Sequence, residues 1–166
     1  LKNHFPKVPF VQGDIRDICY PDDYFDCYIS LGVIEHFIEG QDQMLGEAAR
    51  VVKSGGYIFL TVPALNQFRK SKIRKSGYLT KSDLPFFESC ISSEELNMLL
   101  KNNEFEVLEE HYINPVMPFV QETFIRPLYR LIEDSRFPRN VIDRALRILL
   151  PKKVFGHMIM IIARKK

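Results

Sequence analysis

The sequence carries no excess of charge of either sign: 23 Lys and Arg stand against 21 Asp and Glu, a formal net charge of +2. A chain dedicated to nucleic acid would be dominated by basic residues, so that class is excluded, and a charged partner must be met by a local patch. Cysteine is scarce, with Cys19, Cys27 and Cys90 in no CxxC spacing. Neither a disulfide framework nor a metal site is therefore expected, and a reducing cytoplasm fits this usage. No apolar run reaches the roughly 18 residues that a membrane span needs, and the first residues lack the apolar core of a signal peptide. The eight glycines never form a G-x-G-x-G run, so the fingerprint of a nicotinamide-dependent oxidoreductase is missing.

What is present is a chain of 166 residues, 46% hydrophobic and 27% charged. That suffices for one globular domain able to bury roughly two-thirds of its unfolded surface. Lys7 to Gly13 (KVPFVQG) and Phe25 to Leu31 (FDCYISL) read as buried strands, each closed by glycine, with a turn at Pro21-Asp22-Asp23 between them. From Glu39 to Lys53, Met44, Leu45, Ala48, Val51 and Val52 recur at spacings of three and four, which predicts a helix stopped at Gly55-Gly56. Tyr57 to Val62 then predicts a strand ended by Pro63. A capping-box pattern at Ser92-Ser93-Glu94-Glu95 predicts a second helix, followed by strands near Phe105 to Tyr112 and Val154 to Arg164. Strands alternating with helices imply an α/β sheet.

Ligands of open α/β sheets bind beyond the carboxyl ends of the strands, where loops diverge. Three such ends can be named: Gly13-Asp14-Ile15, Leu31 through His36, and Pro63 through Asn66. Two longer segments, about 64–90 and 115–151, fall outside the strand pattern. The first holds Arg69, Lys70, Lys72, Arg74 and Lys75, which reads foremost as a solvated loop and otherwise as an anion or membrane-surface site. The second mixes Leu131, Ile148 and Leu149 with Arg126, Arg130, Arg144 and Arg147 in helical pieces broken by prolines. Packing on the sheet or on a partner subunit is the leading reading there, with a cover for the site and peripheral membrane contact as the others.

Three ordered stretches carry a resemblance to a known family. FVQGDIRD resembles the third-strand motif, PDDYFDCYISLGVIEHF the fourth-strand motif, and MLGEAARVVKSGGYIFLTVP the helix-turn-strand signature of the class I, Rossmann-like S-adenosylmethionine-dependent methyltransferases. The resemblance is close from Val8 to Pro63. It implies S-adenosylmethionine as cofactor, with Asp14 accepting from the adenine amino group, Ile15 holding the ring, and Leu31 and Gly32 giving their backbone to the sulfur end. A carboxylate suits an amino donor, and a glycine permits close backbone approach. Methyl transfer needs alignment and desolvation, with a base only where the nucleophile carries a proton. Glu35 and His36 are the acid and base pair at a strand end; His36 can take a proton near neutral pH, or can simply orient the local backbone.

The family's glycine-rich first motif and the acidic end of its second strand have no counterpart here. The expectation is an α/β fold, a Rossmann-like methyltransferase sheet, mostly parallel with helices on both faces, lacking the first two strands. Residues 1–166 would then be a partial methyltransferase domain with insertions at about 64–90 and 115–151, and residues 1–7 resemble only the tail of the helix before the third strand. The family's sheet order places the missing strands between those at Val8 and Phe25, leaving edges to be repaired within the chain or by edge-strand pairing in a homodimer. The function expected of the parent protein is methyl transfer to a small-molecule or lipid-like acceptor. The alternative is an inactive methyltransferase-like binding or scaffold module.

Overall fold

The computed structural model describes residues 7, 9–37, 40–76, 90–122, 125–133 and 136–166. Four strands form one sheet in the order β1-β2-β4-β3, namely β1 (Phe25–Leu31), β2 (Val52–Pro63), β3 (Phe105–Ile113) and β4 (Met158–Lys165). β1 runs parallel to β2, whereas β4 is antiparallel to both β2 and β3. The expected α/β class holds, but the sheet is mixed: one strand pair is parallel and two are antiparallel. The cause is the second insertion, which leaves β3 after Ile113 and returns at Met158, its partner across the ladder. A connection that leaves and re-enters at one end of a sheet must reverse the strand.

Helix α1 (Gln41–Val51) follows the periodicity at Met44, Leu45 and Ala48, and Gly40 starts it in the left-handed region at φ 90°. Helix α3 (Ser93–Asn102) begins as its capping box predicts, with the Ser92 hydroxyl accepting from the Glu95 amide. Both helices feed one core. Met44, Leu45 and Ala48 meet Leu96 and Leu100 over the alternate residues Ile58, Leu60 and Val62 of β2 and Ile159, Ile161 and Ala163 of β4. On the opposite face Ile29, Leu31 and Tyr57 are exposed, whereas Thr61 is buried and Phe59 half-buried.

The segment expected as the first strand is not one. Among the described residues of 7–13 there is no strand; Val11 is exposed, and the local pairing is a single bridge between Asp14 and Asp17. An extended run becomes a strand only when a ladder satisfies its backbone groups. β1 likewise has β2 on one side and no described strand on the other, so edge repair within the chain is not found among the described residues.

The segment after β2 also differs from its reading as a loop. Residues 67–76 form α2 (Gln67–Ser76), capped by Asn66, whose Oδ1 accepts from the Arg69 amide at 2.8 Å. Asn66 Nδ2 in turn donates to the Gly156 carbonyl at 2.8 Å. Arg69 is only 6% exposed. Its guanidinium donates to the Ala64 carbonyl at 3.0 Å and to His157 Nδ1 at 3.0 Å. Because arginine only donates, Nδ1 of His157 is the accepting atom of this contact. The first member of the basic run is thus a structural clasp between β2 and β4 rather than a solvated charge. Residues 77–89 lie outside the described residues.

The described parts of the second insertion are mainly helical, with α4 (Val116–Glu122), α5 (Arg126–Glu133) and α6 (Arg136–Leu149), and α7 (Lys152–Phe155) follows. Pro63, Ile113 and Met158 register together, and Leu31 pairs with Thr61, so this insertion shares an end of the sheet with the carboxyl termini of β1 and β2.

Candidate functional site

Asp14 sits where the extended segment turns. Both its oxygens accept from Arg16: Oδ1 from the amide at 2.9 Å and Nε at 3.0 Å, Oδ2 from Nη2 at 2.7 Å. These bonds hold the carboxyl at about pKa 2, well below its ordinary range, so it is an anion at any physiological pH. Arg16 does more than pair. Its guanidinium lies 5.5 Å from the centre of the Phe37 ring, and its carbonyl accepts from Gln43 Nε2 at 3.2 Å. The Asp14 loop is thereby anchored to the segment after β1 and to α1, an arrangement that sequence reasoning missed. Its signal is the Asp-x-Arg spacing, which places a guanidinium within reach of a turn carboxylate.

Beyond Leu31 the chain turns at Gly32, with φ 69°, a region that glycine enters freely. The Gly32 amide donates to the Thr61 carbonyl at 3.1 Å, closing the end of the parallel pair. A Cβ at Gly32 would stand 3.2 Å from Glu35 Oε1, so the carboxylate is folded back against this turn. Glu35 and His36 share a single 3-10 turn (Ile34–His36) yet face different surroundings: Glu35 is 2% exposed, whereas His36 is exposed. His36 thus stands at the surface while Glu35 lies against the Gly32 turn.

Between the 11–20 segment and β1 runs a cleft of about 340 Å³. Asp14 and Ile15 line it, together with Ile18, Tyr20, Phe25 and Tyr28. Its volume is at the small end of the range for ligand sites, roughly 300–1,000 Å³. Leu31 and Gly32 lie past its end, since the lining of β1 stops at Ile29. The structure therefore joins two of the four expected cofactor residues in the cleft and leaves the other two at the adjoining strand end. An ionised acceptor above an apolar, aromatic wall fits a flat heterocycle carrying an amino group, and a glycine turn fits a close backbone approach. Among the described residues no cluster of His, Cys, Asp and Glu could hold a metal ion.

One wall of the cleft is fastened by Arg50 of α1. Its guanidinium donates at 2.8 Å to the carbonyls of Ile18 and Tyr20, to Asp22 and to both oxygens of Glu47, while Glu47 Oε2 accepts from the Ile18 amide at 2.8 Å. Arg50, followed by the Ile18 amide, lowers the Glu47 carboxyl from its ordinary 4.5 to about 2. A depressed carboxylate contributes stability that is complete above the unfolded value and is lost as pH falls through the folded one. In urea unfolding, wild-type stability should fall between about pH 5 and pH 2, and Glu47→Gln should fall less steeply over that window. Equal slopes would contradict the role given to this bond.

Comparison with known proteins gives the same reading from another direction. Residues 1–60 match a family model described as a methyltransferase domain. The 2-methyl-6-phytyl-1,4-hydroquinone methyltransferase 1 of Oryza sativa subsp. japonica is 40% identical over 65 residues, 39% of this chain and 19% of that protein. A fatty-acid O-methyltransferase of Mycolicibacterium smegmatis is 30% identical over 148 residues, 81% of this chain and 48% of that protein. This chain thus spans less than half the length of either relative. The crystal structure of a SAM-dependent methyltransferase from Archaeoglobus fulgidus, 17% identical, superposes with a TM-score of 0.61 over 97% of this chain and 69% of that one. At that identity the likeness speaks for the fold. The segment matched to the methyltransferase-domain model contains Asp14, the Gly32 turn and most of β2, and the solved structure shares the fold of this chain.

Proposed function

We propose that this chain belongs to an enzyme that transfers a methyl group from S-adenosylmethionine to a small apolar or lipid-like acceptor. The observation that supports it most is the ionised Asp14 on the rim of an apolar cleft, tied through Arg16 to the segment after β1. Bound S-adenosylmethionine supplies a methyl group activated on a sulfonium. Asp14 accepts from the adenine amino group with the lone pair of Oδ2 that Arg16 leaves, and Ile15 lies against the ring. Gly32 lets the backbone close on the other end of the cofactor. His36, at the surface beyond that turn, receives the proton of a hydroxyl or carboxyl acceptor, while the buried Glu35 holds the turn in shape. The names of the two relatives, a hydroquinone and a fatty-acid methyltransferase, support an oxygen nucleophile on an apolar body.

The open edge of β1 lies where the family's sheet order puts two further strands. The reading therefore includes strands supplied to that edge by pairing with a second copy. The test is transfer of tritium from methyl-labelled S-adenosylmethionine to a long-chain fatty acid or a prenylated hydroquinone, read in an organic extract. Label in either product is expected. Cofactor binding with no label in any acceptor would overturn the enzyme reading in favour of a methyltransferase-like binding module.

A further inference from the structure

Helices α5 and α6 belong to the insertion that leaves and re-enters the sheet at the end carrying the Gly32 turn, and they show an inverted surface. The Tyr129 hydroxyl donates to Asp143 Oδ1 at 2.6 Å and locks the two helices together. That contact turns the Asp143 side of α6 inward and leaves the other side to solvent. The outward side is apolar: Val141, Ala145 and Ile148 follow one another at spacings of four and three, flanked by Ile142 and Leu149. Ile148 is 78% and Leu149 76% exposed, and Leu131 of α5 adds a third side chain at 78%. An ordinary surface helix presents its polar side to water, so a stripe of this kind needs an apolar phase on its outer side.

The charges beside the stripe say which phase. Arg126 and Arg130 of α5 and Arg144 and Arg147 of α6 are exposed, and Lys152 and Lys153 follow in α7. Among the described side chains of these three helices no carboxylate is exposed. A second copy of the same surface would set cations against cations, whereas anionic lipid offers headgroups for the guanidinium groups and acyl chains for the leucines and isoleucines. No helix among the described residues is long and apolar enough to cross a membrane, so the contact is one of surface docking.

We propose that the outer face of α5 and α6 docks on an anionic lipid bilayer and brings the carboxyl end of the β1–β2 pair to the membrane, where a lipid-like acceptor is dissolved. The choice of acceptor rests on the function proposed above; the docking itself does not. The test is co-sedimentation with vesicles of phosphatidylcholine, alone or mixed with phosphatidylglycerol, at low and high salt. Binding is expected to the mixed vesicles and to weaken in high salt, because attraction to headgroups is screened beyond a Debye length of roughly 10 Å at 0.1 M. Two double variants, Ile148→Asp with Leu149→Asp and Arg144→Glu with Arg147→Glu, should each lose about tenfold or more in partitioning. All four side chains are exposed, and an unchanged far-ultraviolet circular dichroism spectrum verifies that the fold remains.

Failure of the wild type to bind mixed vesicles, or equal partitioning of both variants and wild type, would overturn the proposal. So would a wild-type dimer that ignores vesicles and becomes monomeric in the Ile148→Asp, Leu149→Asp variant, which would make this face an interface between copies. Docking without label transfer would instead sink the acceptor reading and leave the lipid surface standing, and label transfer without docking would do the reverse.

Discussion

Phe105→Ala is expected to lower the unfolding free energy by about 3–5 kcal/mol, a large part of what a single domain has. Phe105 opens β3, is 1% exposed, and belongs to the cluster that joins Leu96 and Leu100 of α3 to the inner rows of β2 and β4. Truncation there removes the transfer energy of the ring and leaves a hole that the sheet cannot collapse to fill, because the Phe105–Lys165 pairing fixes the strand position. The melting temperature should fall by roughly 10 °C. Met98→Ala, on the exposed side of α3, should change stability by no more than about 0.5 kcal/mol. Equal losses at the two sites in denaturant titration would contradict the placement of the core.

Asp14→Ala is expected to weaken S-adenosylmethionine binding by roughly ten- to a hundredfold, the usual effect of removing one partner from a charge-assisted hydrogen bond. The cause is specific to this loop. Arg16 fixes the orientation of the carboxylate, so its acceptor geometry is set before a ligand arrives. The substitution also deprives Arg16 of its anion, and the Phe37 contact then holds the guanidinium where the carboxylate had balanced it. Since Asp14 is exposed and outside the core cluster, thermal unfolding of the variant without cofactor should stay close to that of wild type.

Much of this was legible in the sequence where local chemistry and tertiary structure agree. The period of α1, the Ser92 cap and the strand pair at Phe25 and Tyr57 are local signals that the packing reinforces, and the Gly32 turn was visible as a glycine closing an apolar run. The segment at 7–13 was misjudged because its composition suits a strand, whereas strand formation depends on neighbours that composition does not report. α2 and the buried Arg69 were hidden for a related reason. A run of basic residues reads as solvated, and the distant partner of the buried one, His157, lies 88 positions away. That Glu35 would be buried and its neighbour His36 exposed in one 3-10 turn was not legible from adjacency. The antiparallel return of β4 follows from an insertion whose path no periodicity discloses.

Calorimetric titration of the 166-residue chain with S-adenosylmethionine, wild type beside Asp14→Ala, tests the central claim most directly. The account predicts single-site binding by the wild type and a roughly ten- to hundredfold loss in the variant. Absence of binding by the folded wild-type chain, or binding that the variant retains unchanged, would contradict it.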